Sequence, residues 1–140
     1  MTEETVEKIN RFFLNNPIAK GTPASQKEIT DAEVKLDIKF DPDYTYFQLN
    51  YGGSMIKAKE IYGLHNSELM GNETIIELTK TYRENVDGEK GWLIIGTDYA
   101  GNFIGIDKNG TVLCYDHDFG GLNILAISFE EYIIQAFAQD

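Results

Sequence analysis

At 140 residues, 42% hydrophobic and 25% charged, the chain has the length and composition of one globular domain, residues 1–140, with a real core. Its 12 basic and 23 acidic residues leave a net charge of −11, which disfavours nucleic acid and anionic lipid as partners and favours a basic protein. A single cysteine excludes an internal disulfide framework, no apolar run approaches the roughly 20 residues of a membrane span, and residues 1–13 lack a signal-peptide pattern, so a cytoplasmic protein is expected.

Residues 2–14 read as an amphipathic helix with Val6, Ile9 and Phe13 on one face, ended by Asn15-Asn16-Pro17. Ser25-Gln26-Lys27-Glu28 has the form of a capping box, and the helix it opens carries Ile29, Ala32 and Leu36 on one side. Residues 37–40 form a short extended link. Asp41-Pro42 then starts another helix, with aspartate as cap and proline in the first turn, where its missing N–H costs nothing. Tyr44, Phe47 and Tyr51 share that helix's inner face, and Gly52-Gly53 stops it. Residues 55–64 read as a strand pair or a bent strand, and 65–72 as a polar loop. Asn72 is the expected cap of a helix over 73–84 with Ile75, Leu78 and Tyr82 inward, and 85–91 is a turn.

The stretch 92–118 is the centre of the chain. Residues 92–95 form an unbroken apolar run, as expected of a strand buried on both faces. Residues 103–106 and 111–115 flank Asn109-Gly110, which predicts a hairpin with a tight primed turn. Residues 122–127 suggest a last short strand. Ser128 to Glu131 is a second capping box, opening a helix with Phe129, Tyr132, Ile133, Ala136 and Phe137 on one face. The expected fold class is therefore α+β: a central antiparallel sheet flanked by N-terminal, middle and C-terminal helices. No internal repeat stands out.

Candidate chemistry is sparse. Asp107 to Gly110 resembles part of a calcium loop, but that register puts Gly105 in the first ligand position, where no side chain exists. His65, His117 and Cys114 lack paired metal-ligand spacing, so neither a metal nor any other cofactor is expected. Cys114 lies inside a strand on the same face as Val112 and reads as a buried, inert thiol. Asp116 and Asp118 would share one face of an extended strand with His117 opposite, a set that could do acid–base work, but with no third partner in the sequence a polar strand end exposed to water is the preferred reading. From Asp98 onward the acids are Asp98, Asp107, Asp116, Asp118, Glu130, Glu131 and Asp140, against Lys108 alone. Asp98, Tyr99, Tyr115, Asp116 and Asp118 fall near the ends of the central strands and are the candidate partner-binding residues. Tyrosines anchor interfaces and carboxylates steer a basic partner.

The order of features from Ser25 to Gly53 resembles the N-terminal signature of the SUKH superfamily, which includes the yeast Smi/Knr cell-wall-synthesis regulator and many bacterial immunity proteins. The matching features are the link at 38–40, Pro42 with Tyr44 and Phe47, Tyr51 near the helix end, and Gly52-Gly53. Ile61-Tyr62-Gly63-Leu64, a helix, the Trp92 strand, a Gly/Asp-rich hairpin and a C-terminal helix follow in the family's order, so the resemblance covers nearly the whole chain. One departure is Asp41 before the proline, where the family usually has an apolar residue. The resemblance implies a SUKH (Smi/Knr-like) fold and a non-enzymatic role. The leading expectation is a bacterial immunity protein that binds and neutralises a cognate toxin, such as a basic nuclease domain. The alternatives are a regulatory interaction module, against which the compact length without disordered arms argues, and a small enzyme using Asp116, His117 and Asp118. Exposed strand edges allow a homodimer as well as a monomer.

Overall fold

The computed structural model of the protein describes residues 1–86 and 91–138. Most of the expected 85–91 turn (87–90), and Asp140 at the chain end, lie outside the described residues. Among the described residues there are five α-helices and two antiparallel sheets, an α+β fold. In chain order the elements are α1 (Glu3–Asn15), a 3-10 turn (Pro17–Ala19), α2 (Gln26–Leu36), α3 (Pro42–Asn50), β1 (Ser54–Ile56), β2 (Lys59–Ile61), α4 (Ile75–Asn85), β3 (Leu93–Thr97), β4 (Phe103–Ile106), β5 (Val112–Tyr115), β6 (Leu122–Ala126) and α5 (Phe129–Ala138).

Strands β3-β4-β5-β6 form a simple meander, each paired with the next. Alternation along β3 sends Leu93 and Ile95 to one side of this sheet and Ile94 to the other. The first side packs Ile104, Ile106, Val112, Cys114 and Ala126 against α1, α2, α3 and α5. The second side is covered by α4, whose Leu78 and Tyr82 meet Trp92, Ile94 and Leu113. The Tyr82 and Trp92 rings stack at 5.7 Å. Burial of β3 on both faces matches its unbroken apolar sequence.

Local signals act where the sequence places them. Ser25 and Glu28 close a full capping box, and the Asp41 carboxylate accepts the Tyr44 N–H at 3.0 Å. Four local expectations are corrected. In α1 it is Thr5, Ile9 and Phe13 that are buried, while Val6 is half-buried. Thr74, not Asn72, caps α4, because Glu77 three residues on completes its box. At α5 the Ser128 hydroxyl accepts the Glu131 N–H, but the Glu131 carboxylate reaches back to Ile127 rather than to Ser128, so the box is half closed. The turn at Asn109-Gly110 is not a primed pair. Only Gly110 has positive φ (85°), as in a three-residue hairpin loop that ends in a left-handed residue.

The small sheet is locked to the large one by the Tyr62 N–H, which donates to Ile95 O at 2.8 Å. Beneath it lies the fully buried Tyr44, whose hydroxyl donates to Tyr62 O at 2.6 Å. Gln48 is also fully buried on this face, a polar residue the helical pattern did not mark. Its side-chain amide occupies the space a Cβ on Gly63 would need, so a larger residue there would have to displace Gln48.

Candidate functional site

Two loops meet at one end of the large sheet. The β3–β4 loop spans 98–102 and the β5–β6 loop spans 116–121. They are joined by the His117 N–H, which donates to Asn102 Oδ1 at 3.0 Å. The meander requires this neighbourhood, since β3 and β5 run in the same direction on either side of β4 and finish at the same end of the sheet. The third hairpin loop, 107–111, lies at the opposite end of the sheet.

All three loops open on an aspartate that accepts two backbone N–H groups of its own loop, and the third loop is one residue longer than the other two. Asp98 Oδ1 accepts the N–H groups of Ala100 and Asn102, both at 2.9 Å. Asp107 Oδ1 accepts those of Asn109 and Thr111, at 2.9 and 3.0 Å. Asp116 Oδ1 accepts those of Asp118 and Phe119, at 2.9 and 3.1 Å. Each loop then closes on a glycine of positive φ, Gly101, Gly110 or Gly120. The aspartates stand nine residues apart, as one hairpin strand plus one turn repeats. Carboxylate-to-N–H bonds of this kind mimic a backbone turn. This spacing is a short structural repeat, and its first two copies share the pattern Ile-Gly-x-Asp-x-x-Gly at 95–101 and 104–110.

The candidate residues therefore divide. Tyr99 lies at the tip of the first loop, fully exposed. Asp118 is exposed on the second, with its carboxylate 3.2 Å from His117 Nε2. Asp98 and Asp116 are at the same end but turn a carboxylate oxygen inward onto their own loops. Tyr115 is half-buried, its ring 6.2 Å from that of Tyr82 on the α4 side. The structure thus gathers Asp98, Tyr99, Asp116 and Asp118 at one tip and sets Tyr115 behind it. Strand β5 ends at Tyr115 and residues 117–119 form a turn, so the expected extended strand with Asp116 and Asp118 on one face and His117 on the other is not formed.

Several groups here titrate unusually. Burial tends to raise the Asp98 carboxyl, but hydrogen bonds from Asn102, Ala100 and the Cys114 thiol outweigh it and hold the group below the usual carboxylate range. The Cys114 thiol is pushed up to about 11, first by burial and then by the Asp98 charge, which keeps it protonated and unreactive. Below Tyr99 an open cavity of about 460 Å³ is lined by Lys59, Thr97, Asp98, Ile104, Leu125 and Tyr132. The Lys59 ammonium sits 3.8 Å over the Tyr132 ring, and burial lowers its pKa. No group of three or more His, Cys, Asp or Glu among the described residues is arranged to hold a metal ion. No helix among them is long and apolar enough to cross a membrane.

Sequence reasoning passed over the apolar half of this end. Phe119 is 89% exposed beside the exposed Tyr99 loop, and Leu122 and Ile124 are 58% and 69% exposed on β6. The signal was present in 122–126, an almost wholly apolar strand, but whether both its faces are covered depends on where α4 lies.

The SMI1 / KNR4 family (SUKH-1) matches residues 23–135 of the chain. The uncharacterized protein YnaB of Bacillus subtilis (strain 168) is 38% identical over 88 residues, which is 62% of this chain and 52% of YnaB. The matched region thus spans about half the length of that relative.

Proposed function

The chain belongs to the SMI1 / KNR4 family (SUKH-1), and from that premise we propose that it is a non-enzymatic binding protein, an immunity protein that neutralises a basic protein toxin by covering it. The observation that carries this reading is the loop tip. Tyr99 and Phe119 stand in water on adjoining loops, with the exposed Asp118 next to Phe119 in the chain and the half-buried carboxylates of Asp98 and Asp116 at the same end. Exposed aromatic side chains held on hydrogen-bonded loops lose little entropy when they are buried against a partner. The surrounding negative field steers a cationic surface towards them, the surface that a nucleic-acid-cutting toxin must itself present to its substrate. Occlusion then needs no chemistry from this chain, and Asp116 is already engaged by its own loop.

Co-expression with the product of the neighbouring gene tests the proposal. The expected result is a neighbour that is toxic alone, harmless with this protein, and recovered with it in a stable complex. Within that complex Asp118→Lys and Tyr99→Ala should weaken binding without loss of folding, because both side chains are exposed and the Asp118 contact is a surface pair with His117. A harmless neighbour that forms no complex overturns the reading.

A further inference from the structure

Strand β6 leaves one edge of the large sheet bare. At the other edge, β3 is engaged by the Tyr62 N–H bond to Ile95 O and by Thr79 Oγ1, which accepts the Ile94 N–H at 3.0 Å. Among the described residues β6 pairs only with β5. The Asp116 N–H donates to Gly121 O, so by antiparallel alternation the Tyr115–Leu122 and Leu113–Ile124 pairs are the ones that do not exchange hydrogen bonds. The backbone N–H and C=O groups of Leu122 and Ile124 therefore point away from the sheet. Gln135 Nε2 donates to Leu125 O at 2.9 Å and closes the far end of the edge, leaving those two residues open. Their side chains stand beside Leu113 and Tyr115 on the face that α4 covers only in part, and Phe119 prolongs the apolar surface. Natural sheets blunt a free edge with lysine, proline, a bulge or a covering segment; 122–126 contains neither lysine nor proline, and its bulge at Leu125 lies beyond Leu122 and Ile124.

We propose that β6 is a docking edge for an extended, basic segment of a partner protein, which adds as a fifth strand through Leu122 and Ile124. Open backbone groups in strand register call for an extended chain, and the two exposed aliphatic side chains call for apolar residues at alternate positions of the partner. Charge sets the rest. The stretch 109–138 that carries the edge has Asp116, Asp118, Glu130 and Glu131 and no lysine or arginine. The cation near β6, Lys59, is turned over the Tyr132 ring on the α5 side. A second copy pairing edge to edge would bring two such acidic stretches together, whereas lysines or arginines flanking the incoming strand would meet carboxylates. The inference rests on the binding-protein reading and names how part of that partner is held.

The test uses the whole protein and a blocked hexapeptide of alternating lysine and valine, with amide hydrogen exchange read by NMR. The expected result is slowing of exchange at Leu122 and Ile124 by at least about threefold. The glutamate–valine counterpart and a peptide N-methylated on its pairing edge should have no such effect. Ile124→Lys and Leu122→Lys, both at exposed side chains, should each abolish the protection. Absence of protection, or equal protection by the glutamate peptide, overturns the proposal. So does a concentration-dependent dimer, seen in sedimentation without peptide and lost in Ile124→Lys, since a second copy is then the occupant. Toxin rescue separates the two readings. Rescue by Ile124→Lys with an unchanged complex removes the edge but keeps immunity. Peptide protection with no rescue keeps the edge and removes immunity.

Discussion

Asp98 ties together the loop tip and the core. One carboxylate oxygen accepts two backbone N–H groups, and the other takes the Asn102 amide at 3.1 Å and the Cys114 thiol at 3.7 Å. Because these bonds need the ionised form and depress its pKa in the folded state, their contribution is complete above the ordinary carboxylate value of about 3.9 and is lost as pH falls through the lower folded value. Urea unfolding of the protein and of Asp98→Asn should therefore differ at pH 5 and converge near pH 2. An equal difference at both values would mean that the charge plays no part. Asp41 behaves in the opposite sense. Burial raises its pKa, although its bond to the Tyr44 N–H favours the charge. Asn is as good a helix cap as Asp and carries no charge to desolvate. Asp41→Asn should thus keep stability at pH 7, while Asp41→Ala should lose about 1 kcal/mol. The cap was plain from Asp41-Pro42; the inward bonds of Asp98 were not, since a carboxylate in an acidic segment reads equally well as surface charge.

At the scale of elements, the three hairpins are one device used three times, and the copies have different consequences. Asp107 serves a loop at the end of the sheet away from Tyr99 and Phe119. Asp107→Ala should lower thermal stability and leave affinity for a partner bound at the loop tip unchanged, whereas Asp118→Lys should do the reverse. Loss of both properties together in either variant would mean that the two ends are not independent. The helices were legible because caps and the 3.6-residue period are local, as at Ser25 and in Phe129, Tyr132, Ile133 and Ala136. The primed turn expected at Asn109-Gly110 failed because the Asp107 carboxylate stabilises a longer loop in which asparagine keeps an ordinary negative φ. Asn72 lost to Thr74 for a similar reason, since Asn66 Nδ2 donates to Gly71 O and Glu73 O and holds 71–73 out of the helix.

For the molecule as a whole, charge and topology act together. A net charge of −11 is a field of long reach, screened beyond about 8 Å at physiological ionic strength. Association with a basic partner should slow by about tenfold or more between 0.05 and ~0.5 M salt, with a much smaller change in dissociation rate. Stopped-flow measurement across that range checks it, and a salt-independent rate would remove the steering argument. Sequence by itself determined the helices, the strands of the meander, the α+β class and the resemblance to the SUKH superfamily, because each is carried by caps, periodicities and an ordered set of short motifs. It also determined the sign of the protein's own net charge. Only the tertiary structure decided which carboxylates remain available, that the loops at 98–102 and 116–121 share one end, that Gln48 fills the space a side chain at Gly63 would need, and that β6 is left with an open edge. Each of these depends on contacts between residues far apart in the chain, and on how much of the sheet a single helix, α4, is wide enough to cover.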